Sequence, residues 1–193
     1  MDLLELIKSR SSIRTFLDRA VEDEKLAQIL EAARWAPASG NKQPWRFIVV
    51  RDKNKQAEFD PRFHQPWILN APAIIVVLAA PFDTWEKYDE LDLTYVQDVA
   101  TSTQNILLMT HRLGLGAVWV GTFSRKAVRK ALGIPHEFLI QGLVCLGYYD
   151  KNASTEFHGE KIPNQKERPR RPLDEIAFNG EFGKPWTVPI EDK

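Results

Sequence analysis

The sequence predicts one domain that mixes α and β elements, a sheet covered by helices, and three observations predict it. Residues 73–80 (Ala-Ile-Ile-Val-Val-Leu-Ala-Ala) form a continuous apolar run bounded by Pro72 and Pro81, the pattern of a central strand buried on both faces. Two longer stretches, Glu22 to Trp35 and the one that starts at Thr94, instead repeat apolar residues at helical spacing. Shorter apolar runs, Trp45 to Arg51, Ala117 to Val120 and Leu139 to Tyr149, supply further strands. A chain of 193 residues, 44% of them hydrophobic, is long enough to bury such a core.

The elements follow in order. Asp2 and Glu5 make a capping box for a short helix reaching about Lys8. Next comes Ser9-Arg10-Ser11-Ser12-Ile13-Arg14-Thr15-Phe16, where two guanidiniums with hydroxyls between them offer the forks and short donors that a phosphate needs. Such a cluster is also ordinary solvated surface. In the helix from Glu22, Leu26, Ile29, Leu30 and Ala33 share a face, and Glu22, Asp23 and Glu24 favour its positive end. Pro37 stops it. The loop Ala36 to Pro44 is small and polar, and it either holds a flat polar ligand at the mouth of the sheet or simply joins helix to strand.

After the strand from Trp45, residues Asp52 to Lys55 read as a polar turn or a helix start, and Gln56 to Gln65 are poorly patterned. Phe82 to Leu93 carries aromatics and acids without a period, as a mobile region or short helix over a pocket would. Trp67, Phe82, Trp85 and Tyr88 suit an aromatic lid and ordinary core packing equally. The helix from Thr94 places Val96, Val99, Ala100, Thr103, Ile106, Leu107 and Thr110 at helical spacing and ends at Gly114. Gly121 and Thr122 make a turn, Ser124 caps a helix running to about Leu132, and Gly133 stops it. The tail from Asp150 is polar and Pro-rich yet keeps Phe178, Phe182 and Trp186, so the expectation is a C-terminal arm, residues 150–193, that buries those rings on another subunit. It also holds the second basic cluster, Arg168-Pro169-Arg170-Arg171-Pro172-Leu173.

Composition narrows the function. Lys and Arg total 26 against 26 Asp and Glu, so no global field draws the chain to nucleic acid or an anionic membrane. The single cysteine, Cys145, reads as a small core residue in a reducing compartment. No signal peptide is visible and no apolar run approaches the ~20 residues of a membrane span, so a soluble cytoplasmic protein is expected. There is no G-x-S-x-G, P-loop or H-E-x-x-H, and His64, His111, His136 and His158 are too scattered for a metal site. Gly114-Leu115-Gly116 leaves a helix and enters a strand, the reverse of a dinucleotide-binding turn. Redox chemistry would therefore reside in an organic cofactor. FMN suits the inventory, its phosphate matched to the arginine clusters and its ring to the loop from Pro37 to Gln43.

Four segments resemble the FMN-dependent nitroreductase family in order and spacing: Arg10 to Phe16, Ala36 to Phe47, Gly114 to Gly121 (Gly-Leu-Gly-Ala-Val-Trp-Val-Gly), and Arg168 to Leu173 with the following Asp174-Glu175-Ile176. The resemblance implies an α+β fold with a mixed, mainly antiparallel sheet flanked by helices, in an intertwined homodimer with exchanged C-terminal arms. It implies FMN at the interface, its phosphate on Arg10, Ser12, Arg168 and Arg170, with Ser11 lining the same turn. Arg14 would approach the ribityl chain or ring edge and tune the potential, while Gly121 and Thr122 would lie near N5. Trp35, Pro37, Ala38, Ser39 and Asn41 would come from the other subunit. A one-residue slip exchanges Arg168, Arg170 and Arg171. The implied reaction is ping-pong, with NADH or NADPH as electron donor, a nitroaromatic, quinone or similar small molecule as acceptor, and no catalytic side chain. Rival readings are an FMN-binding module without turnover, a dehalogenase or flavin-destroying enzyme on the same fold, and a nucleic-acid binder using its arginines.

Overall fold

In a computed structural model, which describes residues 1–59, 65–85, 93–157, 159–164 and 168–186, the chain opens as its first residues predict. The Asp2 side chain accepts from the Glu5 N–H at 3.0 Å and starts α1 (Leu3–Ser9). There follow α2 (Asp23–Arg34), β1 (Trp45–Val50), α3 (Lys53–Ala57), α4 (Pro66–Asn70), β2 (Ala73–Ala79), α5 (Thr94–Arg112), β3 (Gly116–Val120), α6 (Arg125–Leu132) and β4 (Leu139–Gly147). The tail adds β5 (Ser154–Phe157), β6 (Glu160–Pro163) and α7 (Leu173–Ile176).

The main sheet runs β1-β2-β4-β3 and every pairing within it is antiparallel, so the fold is α+β. A parallel bridge from Ser12 to Ala117 adds the segment after α1 to the β3 edge. β2 is buried along its whole length, as its unbroken apolar run requires. Its Ile75 and Val77 face α2 and α5 with Leu26, Ile29, Val99 and Ile106. Its Ile74, Val76 and Leu78 face α4 and α6 with Trp67, Ile68, Val128 and Ala131. Each such side chain contributes about 1.5–3 kcal/mol of burial, and two cores back to back fix the sheet between helical layers.

Several boundaries differ from the sequence reading for local reasons. β4 stops at Gly147 because the Tyr148 carbonyl leaves the ladder to accept from the Leu17 N–H at 2.8 Å. α4 was not anticipated: five residues with Pro66 at the first turn are too few to display a period. The tail folds locally rather than running as a plain extended arm, with β5 and β6 paired in a hairpin and Phe178 bridged to Pro185. Phe182 and Trp186 remain 93% and 45% exposed. Trp67 is core, 2% exposed, whereas Phe82 and Trp85 lie at the surface. Tyr88 and most of the Phe82–Leu93 stretch fall outside the described residues, as do His64 and His158. Among the described residues no helix is long and apolar enough to cross a membrane.

Candidate cofactor site

The first basic motif is pinned to the β3 edge by the Ser12–Ala117 bridge and by the Ile13 N–H, which donates to the Ala117 carbonyl at 2.9 Å. Gly116 makes the approach feasible, since a Cβ there would stand 2.7 Å from Ile13. The tail arrives at the same place. Ser11 donates its hydroxyl to the Asn164 carbonyl at 3.1 Å, and the Arg168 guanidinium donates to the carbonyls of Lys8 and Arg10. Two chain segments far apart in sequence thus bring Arg10, Arg168 and Arg170 together.

The arginines are crowded. The Arg10 guanidinium is held below its usual range by burial first, then by the charges of Arg168 and Arg170; Arg168 is lowered by burial and by Arg170. Among the described residues no carboxylate pairs with any of the three. Like charges gathered with no counter-charge among the described residues suit an anion. Arg171 lies 3.7 Å from Glu175, whereas Arg168 and Arg170 are the tail arginines whose charges act on Arg10.

Arg14 extends the same edge. Burial lowers it too, and its guanidinium lies 5.7 Å from the centroid of Trp67 in α4. Gln65, which precedes α4, donates to the Thr122 carbonyl at 2.7 Å, so the turn Gly121–Thr122 is tied to the element that Arg14 contacts. Both turn residues are exposed. The β3 edge therefore carries the cations at its start and an open turn at its end.

The second loop lies before β1, on the opposite edge of the sheet. Ser39 to Asn41 form a single tight turn in which Gly40 and Asn41 have φ of 54° and 57°, and Gln43 has 52°. Such left-handed backbone at two non-glycine residues is strain retained locally. α5 holds the turn. Asp98 accepts from the Ser39 N–H and hydroxyl, and Thr101 donates to the Pro37 carbonyl at 3.2 Å. Asp98 is 6% exposed, and its other oxygen, Oδ2, has no hydrogen-bond partner among the described residues. Trp85 covers Gly40 so closely that a Cβ would meet its ring at 2.0 Å. Ala38 packs against the core, while Trp35 is 73% exposed, its indole N–H on Glu31 at 2.7 Å.

Within the chain the predicted residues thus fall into two groups. Arg10, Ser11, Ser12, Arg14, Gly121, Thr122, Arg168 and Arg170 gather toward the β3 edge; Trp35, Pro37, Ala38, Ser39 and Asn41 lie between α2 and β1, the strand on the opposite edge of the sheet. Sequence reasoning missed Gln65, Asp98 and Asn164. Each matters through a contact remote in sequence, and none sits in a recognisable pattern.

The arginine cluster fits an anionic group. The profile of the nitroreductase family matches residues 7–68 and 59–148. An Archaeoglobus fulgidus protein provisionally named NADH dehydrogenase/NAD(P)H nitroreductase is 43% identical over 86% of this chain and 98% of its own. A nitroreductase family protein of Clostridium difficile superposes with a TM-score of 0.77 at 32% identity, over 94% of this chain and 99% of that one. A provisionally named nitroreductase of Desulfovibrio desulfuricans, solved in complex with FMN, gives 0.75 at 29% identity, over 93% and 96%. With its antiparallel sheet, its arginine-lined edge and this match through most of its length, the chain belongs to the nitroreductase family.

Proposed function

We propose that the protein is an FMN-dependent oxidoreductase in which NADH or NADPH reduces a small acceptor, a nitroaromatic, quinone or similar compound, by a ping-pong mechanism. The observation that carries this reading is the cluster of Arg10, Arg168 and Arg170, with which no carboxylate among the described residues pairs and which suits a phosphate monoester. Arg10, Ser12, Arg168 and Arg170 would hold that phosphate, Arg14 the chain or ring edge, and the Gly121–Thr122 turn the ring. Bound there, FMN supplies two-electron transfer between donor and acceptor. The protein's residues position, neutralise charge and exclude water, and no side chain is assigned as catalytic acid or base.

The reading includes a homodimer. Two features support it: the loop Pro37–Asn41 lies across the sheet from the arginine edge, and an apolar groove runs between α1, α2 and α5 past Leu3, Leu6, Ala32, Leu108 and Met109. A second copy covering that groove is the partner from which a loop at the arginine edge would come. Exposed Leu4 and Ile7 on α1 extend the same surface, 57% and 44% exposed. Such an assembly calls for neither nucleic acid nor a membrane.

The test is the absorption spectrum of the purified protein, reconstituted with FMN and titrated anaerobically with NADH and NADPH, then with p-nitrobenzoate or a quinone. Bleaching by a nicotinamide and recovery on adding the acceptor is the expected result. Flavin that binds without being reduced would favour a binding module, and a monomer that takes up no FMN in excess would end the reading.

A further inference from the structure

We propose that His111 is a titrating member of the phosphate-binding cluster: neutral in the free protein, it takes up a proton when a phosphate monoester settles on Arg10 and Arg168. The inference rests on the reading of that cluster as the FMN phosphate site. His111 stands half-buried in the last turn of α5, its Nε2 2.9 Å from the Ser9 hydroxyl. Ser9 has one proton to give, and its shortest bond, 2.7 Å, goes to the Glu5 carbonyl, which can only accept. The imidazole therefore donates from Nε2. Nδ1 is left as the nitrogen that takes a second proton.

The charged groups that act on the ring come from three separate segments. They are Arg10 after α1, Lys151 in the turn after β4 and Arg168 in the tail, and all are cations. On α1, Glu5 and Lys8 are occupied with each other at 3.9 Å, and on α5 the neighbouring Arg112 lines the groove with Leu3 and Leu6. Burial, then the three cations, hold the imidazole below its usual 6.5. The C-terminal end of α5 acts in the opposite sense, favouring positive charge. An anion seated on two of the three cations removes the repulsion and adds attraction. The sign follows: the free form has the lower pKa and the bound form the higher, so binding takes up a proton between them and affinity falls as pH rises through that window.

Calorimetric titration of FMN into the apoprotein at about pH 7, in buffers of different ionisation enthalpy, counts the protons. The ligand's own phosphate contributes equally to every variant, so the difference between proteins is read. Wild type should take up a larger fraction of a proton than His111→Gln, and riboflavin, which lacks the phosphate, should abolish that difference. FMN should bind wild type more tightly than the variant by about three- to fivefold near pH 6, rising toward about tenfold only below the free-form pKa and closing by about pH 8, the linkage expected of a one-unit pKa rise. Ring-proton NMR of the wild type gives an independent answer, because the His111 midpoint should move up when FMN is added. An equal proton balance, or an unmoved midpoint, overturns the inference while leaving the FMN site standing. Absence of FMN binding to wild type overturns both.

Discussion

The Ser39 N–H and the Asp98 carboxyl group lie 3.1 Å apart, and through that bond the strained turn before β1 is fastened to the core helix α5. The Ser39 hydroxyl reaches the same oxygen at 3.4 Å. Asp98→Ala removes the acceptor for both and should cost about 2 kcal/mol, the range for a buried group left unpaired. Urea denaturation measures it. Asp98→Asn keeps an acceptor of the same shape and should stay within about 1 kcal/mol of wild type. Equal losses for the two variants would show that the hydrogen bonds to Ser39 are not what holds the turn.

Gly116 is where the N-terminal motif docks, and its missing side chain is what admits Ile13. Gly116→Val would force Ile13 off β3 and should destabilise the protein by about 1–3 kcal/mol, as overpacking does. The Ser12–Ala117 bridge should open with it, so amide exchange at Ile13 is expected to quicken as well. Gly114 offers the control. A Cβ there meets nothing within 4 Å, so Gly114→Ala is limited to the penalty of its φ of 76° and should leave exchange at Ile13 unchanged.

Arg168 contributes to structure and to the proposed ligand site together, because its guanidinium also bonds the Lys8 and Arg10 carbonyls. Arg170 does not make those bonds; among the described residues it reaches only the carbonyls of Pro169 and Arg168. Arg170→Ala should therefore leave the melting temperature near wild type while weakening FMN about tenfold or more, the worth of one charge-assisted contact to phosphate. Arg168→Ala should lower both. Riboflavin affinity, insensitive to the phosphate, separates the effects: it should hold in the Arg170 variant. A flavin affinity that falls alike for FMN and riboflavin in Arg170→Ala would remove that arginine from the phosphate contacts.

Much of this was legible in the chain because the long elements repeat. The run Ala73 to Ala79, the face Leu26–Ile29–Ala33 and the face Val99–Ile106–Thr110 each announce their burial through period alone. The caps were legible too, Asp2 and Ser124 both accepting from the third residue onward. What stayed hidden depends on non-local contact. Asn164, 2% exposed in a polar tail, joins Ser11 to the turn at Asp150, and no local pattern signals it. Residues 168–170 could be matched to Arg10 by family spacing, yet the separation of the two site groups across the sheet follows from the strand order β1-β2-β4-β3, which no spacing encodes.

Acid should loosen one corner of the fold before the core. Glu22, at the start of α2, is held well below the usual carboxylate value, at about 2, by its own backbone N–H first and then by the Tyr148 hydroxyl, which lies 2.8 and 2.9 Å from its two oxygens. A carboxylate whose folded pKa is depressed contributes stability that is fully present above its unfolded value of 4.5 and is lost as pH falls toward about 2. Tyr148→Phe removes the second cause and leaves the first, so the folded pKa should rise part of the way back: the loss begins near the unfolded value of 4.5 in both proteins, but in the variant it is smaller and complete at a higher pH. Urea midpoints taken between about pH 6 and pH 2 should therefore show wild type and Tyr148→Phe separated at the upper end and converging as Glu22 is protonated. Lys25 and Arg19 also contact Tyr148, but neither titrates in that range, so they add only a constant offset. Glu22→Gln supplies the reference, since its own gap to a Glu22→Gln, Tyr148→Phe double variant should not change with pH. A separation between wild type and Tyr148→Phe that stays constant down to about pH 2 would mean that the hydroxyl does not act through this carboxylate.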